Sequence, residues 1–174
     1  MGQTIRYMSK AVGVTPAADD VAATLQPLQG SVPALTHQGA GVPIKSYSDI
    51  TLTSATTDPL ATSDIYVAGC VPKGHKLIDA MIVAGDIDSG SALVMSAGLL
   101  KKDFTDLEGA STNVITTSSV GQAGGVARAD TAAGLMQAVS DYDTWYGIKI
   151  TTAVGGLNAA AKLRMVLEYV PDGN

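Results

Sequence analysis

Short runs in which apolar and polar residues alternate dominate the sequence from Lys45 onward, and they restrict the fold more than any other feature. Residues 162–170 are the clearest case, because apolar side chains occupy every second position. The apolar set is Leu163, Met165, Leu167 and Tyr169, and the charged set is Lys162, Arg164 and Glu168. Successive side chains of a β-strand point to opposite faces, so this run predicts a strand with one buried face.

Turn residues divide the remainder of this region into further runs of the same kind. Glycine, proline and aspartate separate segments that are rich in β-branched residues. Strands are predicted over residues 48–53, 64–70, 75–84, 91–100, 113–118, 134–139, 144–152 and 162–170. About eight strands at this spacing predict an all-β fold, an antiparallel β-sandwich or jelly roll.

Two of these runs depart from simple alternation. Residues 75–84 are largely apolar on both faces, which predicts a strand that is covered on two sides. Residues 125–139 are rich in alanine, so a helix is the alternative prediction for this run. Gly134 and the lack of a sustained helical period favour a strand at 134–139 instead.

The first 44 residues have a different character. Prolines and glycines interrupt every stretch of regular structure there. The acidic and basic side chains of this segment are few: Arg6, Lys10, Asp19, Asp20 and His37. We therefore predict an extended N-terminal arm over residues 1–44 and a jelly-roll-like sandwich domain over residues 45–174, since a chain of 174 residues closes about one core.

An ordered arm of this kind requires contacts with another surface. Fixing the backbone costs about 1–2 kcal/mol per residue, so ordering about forty residues costs several tens of kcal/mol. Solvated tails are normally charged, whereas this arm is apolar along its length. It is expected to lie across neighbouring copies of itself or a larger scaffold, with Arg6, Tyr7 and Lys10 as anchoring contacts.

Charge and cysteine content exclude several classes of protein. The net charge is −5 and the basic residues are scattered, which argues against a nucleic-acid partner. No apolar stretch approaches the roughly 18 residues that a membrane span needs, so no membrane partner is expected. Cys70 is the single cysteine, so no internal disulfide is expected, and synthesis in a reducing cytoplasm is favoured.

Residues that could carry chemistry lack suitable partners in the sequence. His37 and His75 have no histidine or cysteine at metal-ligand spacing, so no metal or cofactor is expected. Asp86, Asp88 and Gly90 are similar to the start of a calcium loop but depart from its spacing, and a polar hairpin turn is favoured. Without a catalytic constellation, the chain is not expected to be an enzyme.

Tyr142, Trp145 and Tyr146 form an aromatic cluster in the sequence. Packing in the core and between subunits is the favoured interpretation, which makes Tyr142 and Trp145 candidates for a subunit interface. A platform that stacks against sugar rings is the alternative.

Four strings occur in order along the C-terminal two-thirds: VPKGHKLID at 71–79, GDIDSG at 85–90, SSVGQAGGVAR at 118–128 and IKITT at 148–152. They precede a last strand that ends in Tyr169 and Val170. Over about residues 63–170, this pattern resembles small capsid-associated proteins of tailed bacteriophages. None of the strings is a catalytic signature, so the resemblance depends on their order.

The resemblance implies a head decoration, or cement, protein on the outer capsid surface of a virion. In that family, β-sandwich subunits gather as trimers over junctions between capsomers, and terminal arms reach the major capsid protein. The implied partners are therefore the major capsid protein and further copies of this chain in a homotrimer, and the implied function is to stabilise the shell against internal DNA pressure. The alternatives are a head or tail fibre module that binds glycans and, with no recognisable constellation, a glycan hydrolase.

Overall fold

The computed structural model describes residues 5–8, 43–52, 60–158 and 161–172, with the backbone alone for residues 5–8. Its strands are β1 (Ile5–Met8), β2 (Ile44–Thr51), β3 (Ile65–Val71), β4 (His75–Ala84), β5 (Val94–Leu99), β6 (Asn113–Ser118), β7 (Gly125–Arg128), β8 (Thr144–Thr152) and β9 (Lys162–Pro171). The helical elements of the described residues are a single turn, α1 (Ala132–Leu135), and a 3-10 turn at Ala110–Thr112. The all-β prediction is confirmed.

The strands form two sheets whose pairing is nested. The five-stranded sheet has the order β1-β3-β8-β5-β6, and the four-stranded sheet has the order β2-β9-β4-β7. Antiparallel pairs join β2 to β9, β3 to β8, β4 to β7 and β5 to β6. The first of these eight strands therefore pairs with the last, the second with the second-last, and so on to the middle pair, which is the pairing of a jelly roll. The parallel strand β1 adds to one edge of it.

The two most regular runs of the sequence become central strands. Strand β9 lies between β2 and β4, and β8 lies between β3 and β5. Alternation along β9 places Leu163, Met165 and Leu167, each at most 1% exposed, in the core between the sheets. Met95 and Ile148 of the opposite sheet are buried in the same core. The buried face of a central strand is therefore readable from the sequence alone.

The prediction of a strand over residues 134–139 is wrong. The helical turn α1 overlaps the first two residues of this range instead, and the Thr131 side chain accepts a hydrogen bond from the backbone N–H of Gly134. A Cβ atom on Gly134 would lie 2.1 Å from the backbone oxygen of Asn113, so the close approach of α1 to β6 requires glycine. Strand β7 was missed by the sequence analysis because its four residues are short, mostly exposed and begin with a glycine.

The segment predicted as an arm contributes one strand to the fold. Strand β1 pairs with β3 through the register partners Ile5↔Ile65, Tyr7↔Tyr66 and Met8↔Val67. The predicted arm lies wholly outside the sandwich, whereas the backbone of Ile5–Met8 belongs to a sheet edge. Strand β2 begins at Ile44, and residues 1–4 and 9–42 lie outside the described residues, so the arm otherwise stays a prediction.

Candidate interaction surfaces

A groove of about 930 Å³ opens beside the outer face of the five-stranded sheet. Residues 99–104 and residues 142–145 lie on its walls. Its charged lining residues are Lys101, Lys102, Asp103, Glu108 and Asp143. The groove therefore combines an aromatic wall with charges of both signs.

An apolar cluster separate from the main core holds one wall of this groove in place. Its buried members are Ile65, Val67, Leu100, Phe104 and Leu107. Trp145 packs against the cluster, and its ring meets that of Phe104 edge-on, with centroids 5.9 Å apart. Because Tyr66 of β3 faces the main core, its neighbours in β3 must face the opposite side of the sheet. The loop after β5 thus covers the outer face of the five-stranded sheet.

An ion pair fixes the same loop from its polar side. The Lys149 Nζ lies 2.7 Å from the Asp106 Oδ1. Desolvation raises the pKa of Asp106, but hydrogen bonds from Lys149 and from the backbone N–H of Leu107 outweigh it, so the pKa is lowered overall. The backbone N–H of Lys101 also donates to the carbonyl of Asp106. Apolar contacts, an ion pair and a backbone hydrogen bond therefore hold this wall of the groove in place.

The structure brings Tyr142 and Trp145 to one groove and separates Tyr146 from them. Tyr142 is 52% exposed, and the Lys102 Nζ lies 4.8 Å from the centre of its ring. Tyr146 points into the main core at 3% exposure, and this burial raises its pKa to about 12. The favoured interpretation, packing in the core, therefore holds for Tyr146. The subunit-interface role of Tyr142 and Trp145 stays a prediction.

The predicted arm contacts fall at the edge of the five-stranded sheet or beyond the described residues. Arg6 and Tyr7 lie in β1, where the structure describes backbone positions. Lys10 lies outside the described residues. The roles of Arg6, Tyr7 and Lys10 in partner binding stay predictions.

The outer face of the four-stranded sheet carries an apolar patch that sequence analysis missed. This outer patch consists of Tyr47, Met81, Val83, Val126 and Val166. Backbone register aligns Tyr47 with Val166, Val166 with Met81, and Val83 with Val126. Tyr47 is 60% exposed and Val126 is 58% exposed. The patch therefore extends across all four strands of the sheet and is open at both ends.

Cross-strand ion pairs lie on the same face as the outer patch, in the rows of its residues as well as beside them. They join Lys45 to Glu168 at 3.1 Å, Arg128 to Asp79 at 2.7 Å, and Arg164 to Asp49 through two guanidinium nitrogen atoms. An apolar surface bordered by charged side chains is typical of surfaces that bind other proteins. The feature of the sequence that indicates this patch is the run 75–84, which is apolar on both faces. Among the described residues, the prediction that both faces are covered is wrong, because Met81 and Val83 are only half-buried.

Asp88 connects two loops and is not available to a cation. Its carboxylate, 1% exposed, accepts hydrogen bonds at 2.6–3.0 Å from the backbone N–H groups of Gly90, Ala92, Leu93, Gly155 and Gly156. Desolvation raises the pKa of Asp88, but these backbone hydrogen bonds lower it to about 2 overall. The lone pairs that calcium would need are already occupied by donors. The predicted turn is present, but it joins strands of different sheets, so the hairpin prediction is wrong.

The described residues do not assemble a nucleophile or a metal centre. Among them, no group of three or more His, Cys, Asp or Glu side chains is arranged to hold a metal ion. Burial, with a smaller contribution from the charge of Asp143, raises the pKa of the Cys70 thiol to about 12, so this thiol is protonated at neutral pH. Within the same part of the chain, no helix combines the length and apolar character that a membrane crossing needs.

These features define a class of fold, a jelly-roll sandwich with two open surfaces suited to protein contact. Chains in solved phage capsids share this fold. A chain in the capsid of Ralstonia phage GP4 has a TM-score of 0.69 and 24% sequence identity, over 96% of this chain and 98% of that chain. A chain in the capsid asymmetric unit of cyanophage Pam1 has a TM-score of 0.58 and 21% identity, over 82% of this chain and 94% of that chain.

No protein-family model matches the sequence, and no curated protein matches it. At the identities found among the solved capsids, the likeness establishes a shared fold. The resemblance to phage capsid-associated proteins is therefore confirmed at the level of the fold.

Proposed function

We propose that the chain is a non-enzymatic structural protein of a phage virion, which decorates the outer surface of the head and cements adjacent capsomers. The observation that carries this proposal is the jelly roll shared over 96% of this chain and 98% of a chain in the capsid of Ralstonia phage GP4. The likeness to a chain in the cyanophage Pam1 capsid supports it. Because one fold serves many functions, the surfaces supply the rest of the argument.

A decoration protein stabilises a head by binding one state of the shell in preference to another. Internal DNA pressure pulls capsomers apart, and a ligand that binds across the closed seam stabilises the closed lattice by mass action. A trimer multiplies weak contacts, because the second and third binding events are intramolecular. The proposed partners are therefore the major capsid protein and two further copies of this chain, which is made in the host cytoplasm.

The proposal assigns different contacts to different surfaces. The groove with Tyr142 and Trp145 is assigned to subunit contacts, because aromatic residues are enriched at the centres of protein interfaces. The arm, with Arg6, Tyr7 and Lys10, is assigned to the major capsid protein. The net charge of −5 favours the outer surface, away from packaged DNA.

Deletion of residues 1–41 tests the assignment of the arm. Full-length and truncated chains are added to heads that lack this protein, and bound copies are counted by electron microscopy. We expect the truncation to lose most of its occupancy, with circular dichroism confirming that the jelly roll, which begins at Ile44, is folded. A variant with alanine at Arg6, Tyr7 and Lys10 separates the anchoring side chains from arm length. Full occupancy of a truncated chain contradicts the arm role, and no binding by the full-length chain contradicts decoration.

The mass of the chain in solution tests the trimer and the groove. We expect three copies for the full chain, and we expect Tyr142→Ala and Trp145→Ala to weaken association because they remove the aromatic contact area. Val126→Asp in the outer patch is the matched control, since Val126 is 58% exposed on the opposite sheet. A monomer contradicts the trimer. Loss of association with Val126→Asp alone contradicts the assignment to the groove.

A glycan-binding module is the second candidate, and the groove is the observation that favours it. A half-buried Trp145 beside charged lining residues fits the stacking and hydrogen bonding that sugars require. Under this candidate, a glycan array gives signal that Trp145→Ala abolishes. No signal, or signal that survives the substitution, contradicts it.

A further inference from the structure

Strand β1 covers an edge that the rest of the jelly roll leaves open. It is the last strand of the five-stranded sheet and has β3 as its one neighbour there. The register partners of β1, Ile65, Tyr66 and Val67, are at most 1% exposed. A sheet edge without a partner strand presents unpaired backbone groups and invites pairing with another chain. The structure thus shows what kind of partner this edge binds, which is an extended segment that runs parallel to β3.

We propose that, in the assembled protein, the strand on the β3 edge comes from a second copy of this chain, so that copies exchange Ile5–Met8. The inference rests on the self-association in the proposed function and is independent of binding to a capsid. Each copy gives its β1 to one neighbour and receives β1 from another. Such head-to-tail exchange closes into a ring when the rotation between copies permits, and a rotation of about 120° would close a ring of three copies.

The length of chain between β1 and β2 supports exchange. Residues 9–43 connect Met8 to Ile44. A parallel pair within one chain needs a connection of about a dozen residues, and the chain between β1 and β3, residues 9–64, is more than four times as long. An extended chain spans about 3.3–3.6 Å per residue, so the connection reaches more than about 100 Å, whereas a domain of this size is about 35 Å across. Reaching the β3 edge of a neighbour is therefore within its range.

The energetic difference between the two arrangements is small. The entropy cost of closing a loop grows only as the logarithm of its length, by about 0.6 kcal/mol for each doubling. The backbone pairing of β1 with β3 is the same whichever copy supplies the strand. Exchange gains in addition a surface for the apolar connection, which carries few charges and is costly to leave in water. These terms together favour a strand supplied by a neighbour.

Disulfide capture distinguishes exchange from closure within one chain. In a Cys70→Ser background, cysteine replaces Met8 and Val67, which are direct register partners. Neighbouring strands lie about 4.8 Å apart, within the range that a disulfide spans. The oxidised, assembled protein is then run on a denaturing gel without reductant. We expect covalent species of two and three chains that return to one chain on reduction.

Two controls keep the result interpretable. The pair Thr51→Cys and Lys162→Cys, register partners in β2 and β9, should give a disulfide within one chain. A second pair, Ile5→Cys with Ile65→Cys, replaces the first if the Val67 variant does not fold. Chains with Met8→Cys alone are also refolded together with chains carrying Val67→Cys alone, where exchange yields a covalent heterodimer.

Three outcomes overturn the exchange: a disulfide confined to one chain, no heterodimer from the mixed single variants, or a monomer in solution. The first two leave decoration intact, because occupancy on heads is measured separately on the cysteine-free chain. Loss of head binding with a persistent covalent ring would contradict decoration and support exchange.

Discussion

Replacing Asp88 with asparagine tests whether one carboxylate holds two distant loops together. Oδ1 accepts from Gly90, Gly155 and Gly156, and Oδ2 accepts from Ala92 and Leu93. Asparagine has the same shape but one acceptor oxygen, so its amide NH₂ faces at least two backbone N–H donors. Each buried donor left unpaired costs about 1–3 kcal/mol, so we expect Asp88→Asn to lower the free energy of unfolding by about 2–6 kcal/mol.

The pH dependence provides a second signature of the same contacts. Asp88 has a pKa of about 2 in the folded chain, below its ordinary value of 3.8. A depressed pKa means that ionised Asp88 stabilises the fold fully above about pH 4 and progressively less as the pH falls towards 2. Asparagine does not titrate. The difference between the two proteins in free energy of unfolding should therefore narrow across this window.

Urea unfolding, followed by circular dichroism between pH 7 and pH 2.5, measures both effects. Asp141→Asn, at an exposed position, is the matched control and should change the free energy of unfolding by no more than about 0.5 kcal/mol. A loss below about 1 kcal/mol for Asp88→Asn at pH 7, or a difference that stays constant as the pH falls, would refute the reasoning.

Three further predictions concern the core, the groove and the cysteine. Gly134→Ala should lower the melting temperature, although alanine favours helices, because its Cβ atom would lie 2.1 Å from the backbone oxygen of Asn113. Gly109→Ala is the control, because no atom lies near the added Cβ and the melting temperature should not fall. Equal melting temperatures for the two variants contradict the prediction. Asp106→Asn breaks the ion pair with Lys149, whose two side chains are 24% and 29% exposed, and should lower the free energy of unfolding by about 1 kcal/mol. Amide exchange over residues 100–108 should become faster, and unchanged exchange contradicts the prediction. Cys70 should react slowly with a thiol reagent at pH 8, because its pKa is about 12; rapid labelling of the folded chain contradicts this.

The long central strands and the edge strand β6 were predictable, whereas the two four-residue edge strands were not. The boundaries of β8 match residues 144–152, and those of β9 lie within one residue of 162–170, because each strand is long and alternates against a buried face. Strands β1 and β7 have four residues each and lie at sheet edges, so they carry too few alternations to stand out.

The aromatic residues show how proximity in sequence misleads. Trp145 and Tyr146 are adjacent, but adjacent residues of a strand face opposite sides. One therefore lies in the groove and the other in the core. Alternation along residues 144–152 predicts this separation, whereas the short distance between the rings in the sequence does not.

The amino-acid sequence by itself determined the longer strands, the buried face of each alternating run, and that the N-terminal segment is apolar and poor in charge. These properties are local, because they depend on period-two alternation and on composition. Only the tertiary structure decided the nested pairing, the donors that reach Asp88 from 67 residues away, and the outer patch. Each of these depends on which distant strands pair, and the alternation within a single strand does not specify its partner.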